Sequence, residues 1–311
     1  MKSLLESLNS FMEFEHQSNL PQVDLLYQKV SAELDNLCRQ IVIIEKYGYT
    51  RSHILNILSP VLTIFKKSPL GWRMQNLPLD NPGNYKIIDY ICDAINKAPQ
   101  NTVEYCCEEY ALSCPAIQQY RNLVRHQALQ IIETFRIAHE NPRVLSIGCG
   151  SSRDIWSIQV FLKESLNGKI VLIDRDIKAL EFSRARLSSL EGKLEFIQGN
   201  IIQSIYKLEQ TEGFDLVVTG GLFDYLTKPV VKYLIKHIYH YLLKPNGKLV
   251  FTNIAQGNPY RPFLEYFGNL TLVERDEEDI LDIWQQLGLN RQDINLKRDE
   301  DNLRLIVEIN K

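Results

Sequence analysis

Residues 144–158 read VLSIGCGSSRDIWSI. A short apolar run, Val144 to Ile147, ends in Gly148-Cys149-Gly150-Ser151, and helix-like sequence follows. Glycines at such a junction let the backbone turn tightly and come close to a ligand. In a doubly wound sheet, ligands sit outside the C-terminal ends of the strands, where Gly148 and Gly150 stand. A dinucleotide site adds a third glycine so that the helix N-terminus meets a pyrophosphate, but position 153 is Arg. Taken alone, the pair also suits a plain strand–helix turn.

The sequence downstream repeats the strand–helix rhythm. RVLSIG, KIVLID, KLEFIQG, FDLVVTG and GKLVFTNIA read as strands, with helical sequence at RDIWSIQVFLKESL, DIKALEFSRARLSSL and KPVVKYLIKHIYHYLL. Strands apolar on both faces that alternate with helices make a mostly parallel sheet covered on both sides. After the helical DEEDILDIWQQLG, the segments DINLKRD and LRLIVEIN have no clear helix between them. They predict a hairpin, hence an antiparallel strand at one edge. The chain is thus expected to be α/β and Rossmann-like.

Upstream the rhythm is helical. VDLLYQKVSAELDNLCRQIVIIEKYGY, SHILNILSPVLTIFKK and IQQYRNLVRHQALQIIETFRIAHE place apolar residues every three to four positions. Between the last two, SPLGWRMQNLPLDNPGNYKIIDYICDA holds prolines 69, 78 and 82 and glycines 71 and 83, and predicts a long irregular lid. The expected organisation is a helical cap over residues 1–139 and a sheet domain over 140–311.

Composition narrows the partners. The 311 residues are 45% hydrophobic and carry a net charge of −3, which gives no general field for polyanions and argues against nucleic acid. The six cysteines form no CxxC pair and have no histidine at zinc spacing, so no metal site is expected and reduced thiols fit a cytoplasmic protein. The N-terminal apolar residues Leu4, Leu5, Leu8, Phe11 and Met12 fall at helical spacing, predict a core-facing helix and are broken by Glu6 and Glu13, unlike a signal peptide. No apolar run is long enough to span a bilayer.

Other residues then gather at the strand ends. KIVLIDRD ends at Asp174, which can accept both hydroxyls of a ribose or cap the helix that follows. After the third strand, Asn200 can offer its amide to an adenine edge or serve a turn. The fourth strand ends in Gly220-Gly221, giving room at the centre of the cleft.

In VLSIGCGSS, VLID, FIQGN, FDLVVTGG and LLKPNGKLVFTN, the chain resembles class I S-adenosylmethionine-dependent methyltransferases. The resemblance covers about residues 140–311. It implies a seven-stranded sheet with the last strand antiparallel, S-adenosyl-L-methionine as cofactor, Gly148 and Gly150 beside its methionine part, Asp174 on the ribose and Asn200 near the adenine. This cofactor has no pyrophosphate, so the third glycine is not required. Through SPLGWRMQNLPLDNPGNYKIIDYI, CPAIQQYRNLVRHQ, GLFDYLTKP and GNPYRPFLEYFGNLTLVERDEEDI, the chain is similar to a bacterial group that makes 3-hydroxy fatty acid methyl esters. That group has an acidic residue where this chain has Asn84. The helical cap also resembles nicotianamine-type synthases.

The resemblance implies a small-molecule methyltransferase, with a fatty or other carboxylic acid as acceptor. The same cofactor also serves attack on its methionine side chain, as in aminocarboxypropyl transfer or azetidine-2-carboxylate synthesis, and a non-catalytic cofactor-binding protein would keep the same motifs. Asp224 and Tyr225, after the fourth strand, are placed to take a proton from an amine or hydroxyl acceptor, or else to pack and cap a turn; a carboxylate needs no base. Tyr85 and Trp72 can face a sulfonium by cation–π contact or serve as anchors. Arg121, four residues from Arg125 on one helical face, and Arg261 are candidates to grip a carboxylate. His126, His237 and His240 fit no metal spacing, and ERDEEDILD reads as a solvated helix start.

Overall fold

A computed structural model describes residues 2–16, 23–76, 84–137, 141–165 and 168–311. Their contacts gather into two compact units, residues 1–118 with 259–271 and residues 119–258 with 272–311. The domain boundary expected at 139/140 lies outside the described residues.

The first unit is helical. It contains α1 (Lys2–His16), α2 (Val23–Lys46), α3 (Arg51–Phe65), α4 (Pro69–Asn76), α5 (Tyr85–Asp93) and α6 (Val103–Ser113), and the start of α7 (Pro115–Ile137). In α1 the helical spacing buries Leu4, Leu8, Phe11 and Phe14 and leaves Leu5 exposed. The irregular lid expected at 68–94 contains α4 and α5 instead. Of the expected breakers, Pro69 marks a helix start. Pro69 opens α4, where its missing N–H is no loss, and Asn84 caps α5 by accepting the Lys86 N–H at 2.9 Å. Gly71 lies in α4, where an added Cβ would come within 2.1 Å of the Phe65 carbonyl oxygen. Pro78, Pro82 and Gly83 lie outside the described residues.

Helix α6 has no one-sided apolar stripe, because it is buried nearly all round, from Val103 through Cys106, Cys107 and Tyr110 to Leu112. Its Glu108 is wholly buried. The carboxylate accepts the Leu70 N–H at 2.8 Å, the Lys97 N–H at 2.7 Å and the Tyr90 hydroxyl, and so ties α4, α5 and the following turn to α6. The excursion at 259–271 is clipped to the helices in the same manner. Arg261 donates to both oxygens of Glu45 and to Glu265 at 2.7 Å. Tyr266 donates to Glu45 at 2.7 Å, and Arg51 donates to the Glu265 carbonyl and to Asn269.

The second unit contains a seven-stranded sheet in the order β3-β2-β1-β4-β5-β7-β6. The strands are β1 (Arg143–Ile147), β2 (Lys169–Asp174), β3 (Leu194–Gln198), β4 (Phe214–Thr219), β5 (Leu243–Ile254), β6 (Ile294–Arg298) and β7 (Arg304–Asn310). The first five are parallel, and β7 runs antiparallel to both β5 and β6. The mostly parallel sheet with antiparallel pairing at one edge is therefore as the sequence predicts. The helices are α8 (Arg153–Ser157), α9 (Gln159–Glu164), α10 (Ile177–Arg186), α11 (Ile201–Leu208), α12 (Lys228–His237) and α13 (Glu277–Gln286). One helix expected from 153 onward is two, broken at Ile158. Alternation along the strands sends Val144, Leu172 and Val218 to a core with Ile131, Ile155 and Leu162, and Leu145, Val171 and Val217 to one with Ile205, Leu234 and Trp284.

All six cysteines are free. Replacing Glu108 with Ala would leave the buried Leu70 N–H, the part-buried Lys97 N–H and the Tyr90 hydroxyl without this acceptor. It should lower stability by about 2–4 kcal/mol, measured as a shift in urea-unfolding midpoint at constant slope.

Candidate functional site

The glycine loop after β1 is shaped by three left-handed residues, Gly148 (φ 68°), Gly150 (φ 52°) and Ser152 (φ 49°). The residue after Gly150 that adopts the glycine-favouring conformation is thus Ser152, while Arg153 is simply the first residue of α8. A serine is strained there, and hydrogen bonds hold it: Ser152 Oγ to Ser183 Oγ at 3.1 Å, and Ser183 Oγ to the Gly150 carbonyl at 2.9 Å.

Asp174, at the end of β2, organises this loop. Its Oδ2 accepts the Gly150 N–H at 2.8 Å and its Oδ1 the Asp176 N–H at 2.9 Å. The Ile173 carbonyl takes the N–H groups of Gly148 and Cys149, and the Asp174 carbonyl takes that of Gly199. A carboxylate offers about four lone-pair positions, so two remain for a ligand. Burial pushes its carboxyl above the usual range, against the pull of the two N–H groups. Asn200, just beyond β3, caps α11 by accepting the Ile202 N–H at 2.9 Å, which leaves its amide NH2 group to donate. The sheet order β3-β2-β1-β4 thus brings Gly148, Gly150, Asp174, Asn200 and Gly220 to adjacent strand ends.

Asp154, in the first turn of α8, was not legible as a site residue. It is 6% exposed. Burial raises its carboxyl from 3.8 to about 6, opposed only by the Ile155 N–H and its own. Asp174 and Asp154 both act on the Cys149 thiol, which burial first and then these charges push well above its usual range.

The turn after β4, Gly221–Tyr225, is held from behind. Asp224 is buried, with Oδ2 at 2.9 Å from Arg304 Nη1 and Oδ1 accepting the Ile254 N–H at 2.7 Å. Burial pushes its carboxyl up while Arg304 and Arg275 pull it back. Arg275, also buried, donates to the carbonyls of Phe223 and Leu226 and to Asn253. Burial and the Asp224 charge push the Tyr225 hydroxyl far above the phenol range. Gly221 makes room for a close neighbour, since a Cβ there would stand 3.3 Å from Asp224 Oδ2, whereas at Gly220 it would meet Gln127 Oε1 at an ordinary 3.5 Å. An arginine inside the apolar strand LRLIVEIN was the available sign of Arg304. Arg275 was hidden in the charge run, which does start α13 through an Asp276–Asp279 capping box.

The remaining candidates are dispersed. Arg121 lies partly exposed on α7, in the sheet unit, and Arg125 is exposed. Tyr85 is a buried residue at the start of α5 in the helical unit, with Lys86 Nζ 5.9 Å from its ring centroid, and Trp72 on α4 is exposed. Arg261 is engaged by Glu45 and Glu265. His237 is buried among Tyr206, Tyr233 and Tyr241, and His240 is exposed. Among the described residues no cluster could hold a metal ion, and no helix is long and apolar enough to cross a membrane.

Residues 138–288 match the family profile described as a methyltransferase domain. Over these residues the chain is similar to that domain. A malonyl-[acyl-carrier protein] O-methyltransferase of Halalkalibacterium halodurans is 27% identical over 163 residues, covering 52% of this chain and 58% of that protein. A ribosomal RNA small subunit methyltransferase C of Buchnera aphidicola is 33% identical over 118 residues, 36% of this chain and 31% of that protein. The chain therefore spans well under two thirds of each of these curated relatives. A solved structure, that of a "possible exported protein" from Bordetella parapertussis, aligns with 92% of this chain and 96% of its own, at TM-score 0.63 and 17% identity. That likeness in fold extends beyond the methyltransferase domain to the helical part.

Two stability measurements follow from this geometry. Asp154 binds its proton more tightly folded than unfolded, so its contribution is favourable at low pH and is lost as pH rises through about 6. Asp154→Asn should therefore stabilise the protein at pH 8 by about 2–3 kcal/mol, with the gain vanishing near pH 4, as read by thermal melts. Arg304→Met should cost about 3–5 kcal/mol by stranding Asp224, and the double variant with Asp224→Asn should recover part of that loss in denaturant titrations.

Proposed function

We propose that this protein is an S-adenosylmethionine-dependent methyltransferase that acts on a carboxylate oxygen of a small organic acid. The residues fit the cofactor. Gly148 and Gly150 allow close backbone approach, Asp174 has two acceptor positions left for the ribose hydroxyls, the Asn200 amide serves the adenine, and Arg121 the cofactor carboxylate. When bound, the cofactor supplies a methyl group on a positively charged sulfur.

The acceptor is inferred from what the turn after β4 lacks. Both Asp224 oxygens are engaged by Arg304 and the Ile254 N–H, and the Tyr225 hydroxyl keeps its proton at neutral pH. Neither is set to act as a base, which suits an acceptor that arrives already ionised. In this reading Asp224, Arg304 and Arg275 position the turn, Tyr85 anchors α5, and the protein contributes alignment and exclusion of water. The name of the Halalkalibacterium relative, an O-methyltransferase of a malonyl group, and the resemblance to the methyl ester group support an oxygen acceptor. The −3 charge weighs against a nucleic-acid substrate.

Incubation with methyl-labelled cofactor and a panel of short to long-chain carboxylic acids should give labelled methyl esters and S-adenosylhomocysteine. Methylthioadenosine as the sole nucleoside product would overturn the reading in favour of cyclisation or aminocarboxypropyl transfer. Asp174→Ala should weaken cofactor binding by about 1–3 kcal/mol, measured by calorimetry.

A further inference from the structure

Helix α7 lays one face against the sheet. Ile131 packs in the core with Val144 and Val218, so that face lies over β1 and β4. One turn earlier, where the apolar stripe would continue, stands Gln127. It is 7% exposed, and among the described residues its amide makes no hydrogen bond.

The glycines after β4 show where this amide lies. A Cβ on Gly220 would have three atoms of Gln127 as its nearest neighbours, with Oε1 at 3.5 Å and Nε2 at 3.6 Å. The two ends of the amide are thus nearly equidistant from Gly220, and its NH2 group can be turned toward the strand end in place. A Cβ on Gly221 would stand 3.5 Å from Tyr120 Cε2 and 3.3 Å from Asp224 Oδ2. Tyr120 and Gln127, two turns apart on α7, therefore both face the Gly220–Gly221 backbone. That Asp224 oxygen is paired with Arg304 at 2.9 Å, so it sets no unopposed negative charge beside the glycines. Burying an amide without a partner is costly. The fold supplies none, and a ligand oxygen would.

We propose that Gln127 is a specificity-determining residue whose NH2 group holds the carboxylate of the acceptor beside Gly220 and Gly221. This rests on the reading of the strand ends as the cofactor site and of the acceptor as an organic acid. In that reading adenine, ribose and the methionine part fall at the ends of β3, β2 and β1, and β4 is the next strand in the sheet. A group at the end of β4 thus faces what meets the methyl group. One acceptor oxygen forms the bond to the methyl carbon, the carbon–sulfur bond breaks with its electron pair left on sulfur, and no proton moves. The second oxygen is free to be held. A neutral amide suits that task, because it orients the carboxylate by a hydrogen bond. An ion pair with a guanidinium would stabilise the ionised ground state more strongly and slow the attack.

The test uses the full chain and whichever acid of the panel of carboxylic acids the wild type esterifies fastest. Gln127→Leu, which keeps most of the volume and removes the amide, should raise KM for that acid roughly tenfold and leave the calorimetric affinity for S-adenosylmethionine within about twofold. Its melting temperature should not fall, since the amide it loses has no partner in the fold. Gln127→Glu, which puts a like charge in the same place, should raise KM further than Gln127→Leu does. An unchanged KM in Gln127→Leu overturns the inference, as does a raised KM that comes with a lowered melting temperature. Weaker binding of S-adenosylhomocysteine but not of methylthioadenosine, which lacks the amino-acid end, also overturns it and assigns the amide to the cofactor. Wild-type protein that esterifies no acid of the panel removes the acceptor reading and the inference with it, whereas esterification that is indifferent to residue 127 removes the inference alone.

Discussion

One carboxylate joins the ends of the central strands. Asp174 accepts an N–H from the β1 loop and another from the start of its own loop, while its carbonyl takes the N–H of Gly199 beyond β3. Three parallel strands can place their connections anywhere along an edge. These bonds bring the three connections to one point and fix the left-handed path of Gly148 and Gly150 there. The site depends on this geometry, because a glycine loop that wandered would offer neither close backbone approach nor a carboxylate with spare acceptor positions.

The sheet was legible because its signals are local. Short apolar runs, each followed by a glycine or an acidic residue and then an amphipathic helix, allow few arrangements other than a parallel sheet covered on both faces. Gly148, Gly150 and Asp174 could be read for the same reason: each ends a run whose direction is known. The missing helix between Arg298 and Arg304 likewise betrayed the hairpin.

What stayed hidden depends on tertiary partners. Helix α6 is buried nearly all round, so its pattern has no period to detect. Pro69 looks like a breaker until it stands at a helix start, where its missing N–H is no loss. Arg275 resembles its solvated acidic neighbours, and only the carbonyls of Phe223 and Leu226 reveal a buried arginine. Asp154 follows an arginine at a helix start, where an acidic residue is ordinary. What sets it apart is its burial, a tertiary property that its neighbours in sequence do not announce.

The return of residues 259–271 to the helices has a consequence for how the chain can mature. Neither unit is a continuous stretch: the helical one is finished by a segment that follows β5, and the sheet by strands that come after that segment. During synthesis Glu45, Arg51 and Gln75 must wait for some two hundred further residues before Arg261, Asn269 and the Tyr266 carbonyl emerge to meet them. The two units are therefore interleaved along the polypeptide. No single cut liberates either of them whole, and neither can be complete before residue 271 has been made.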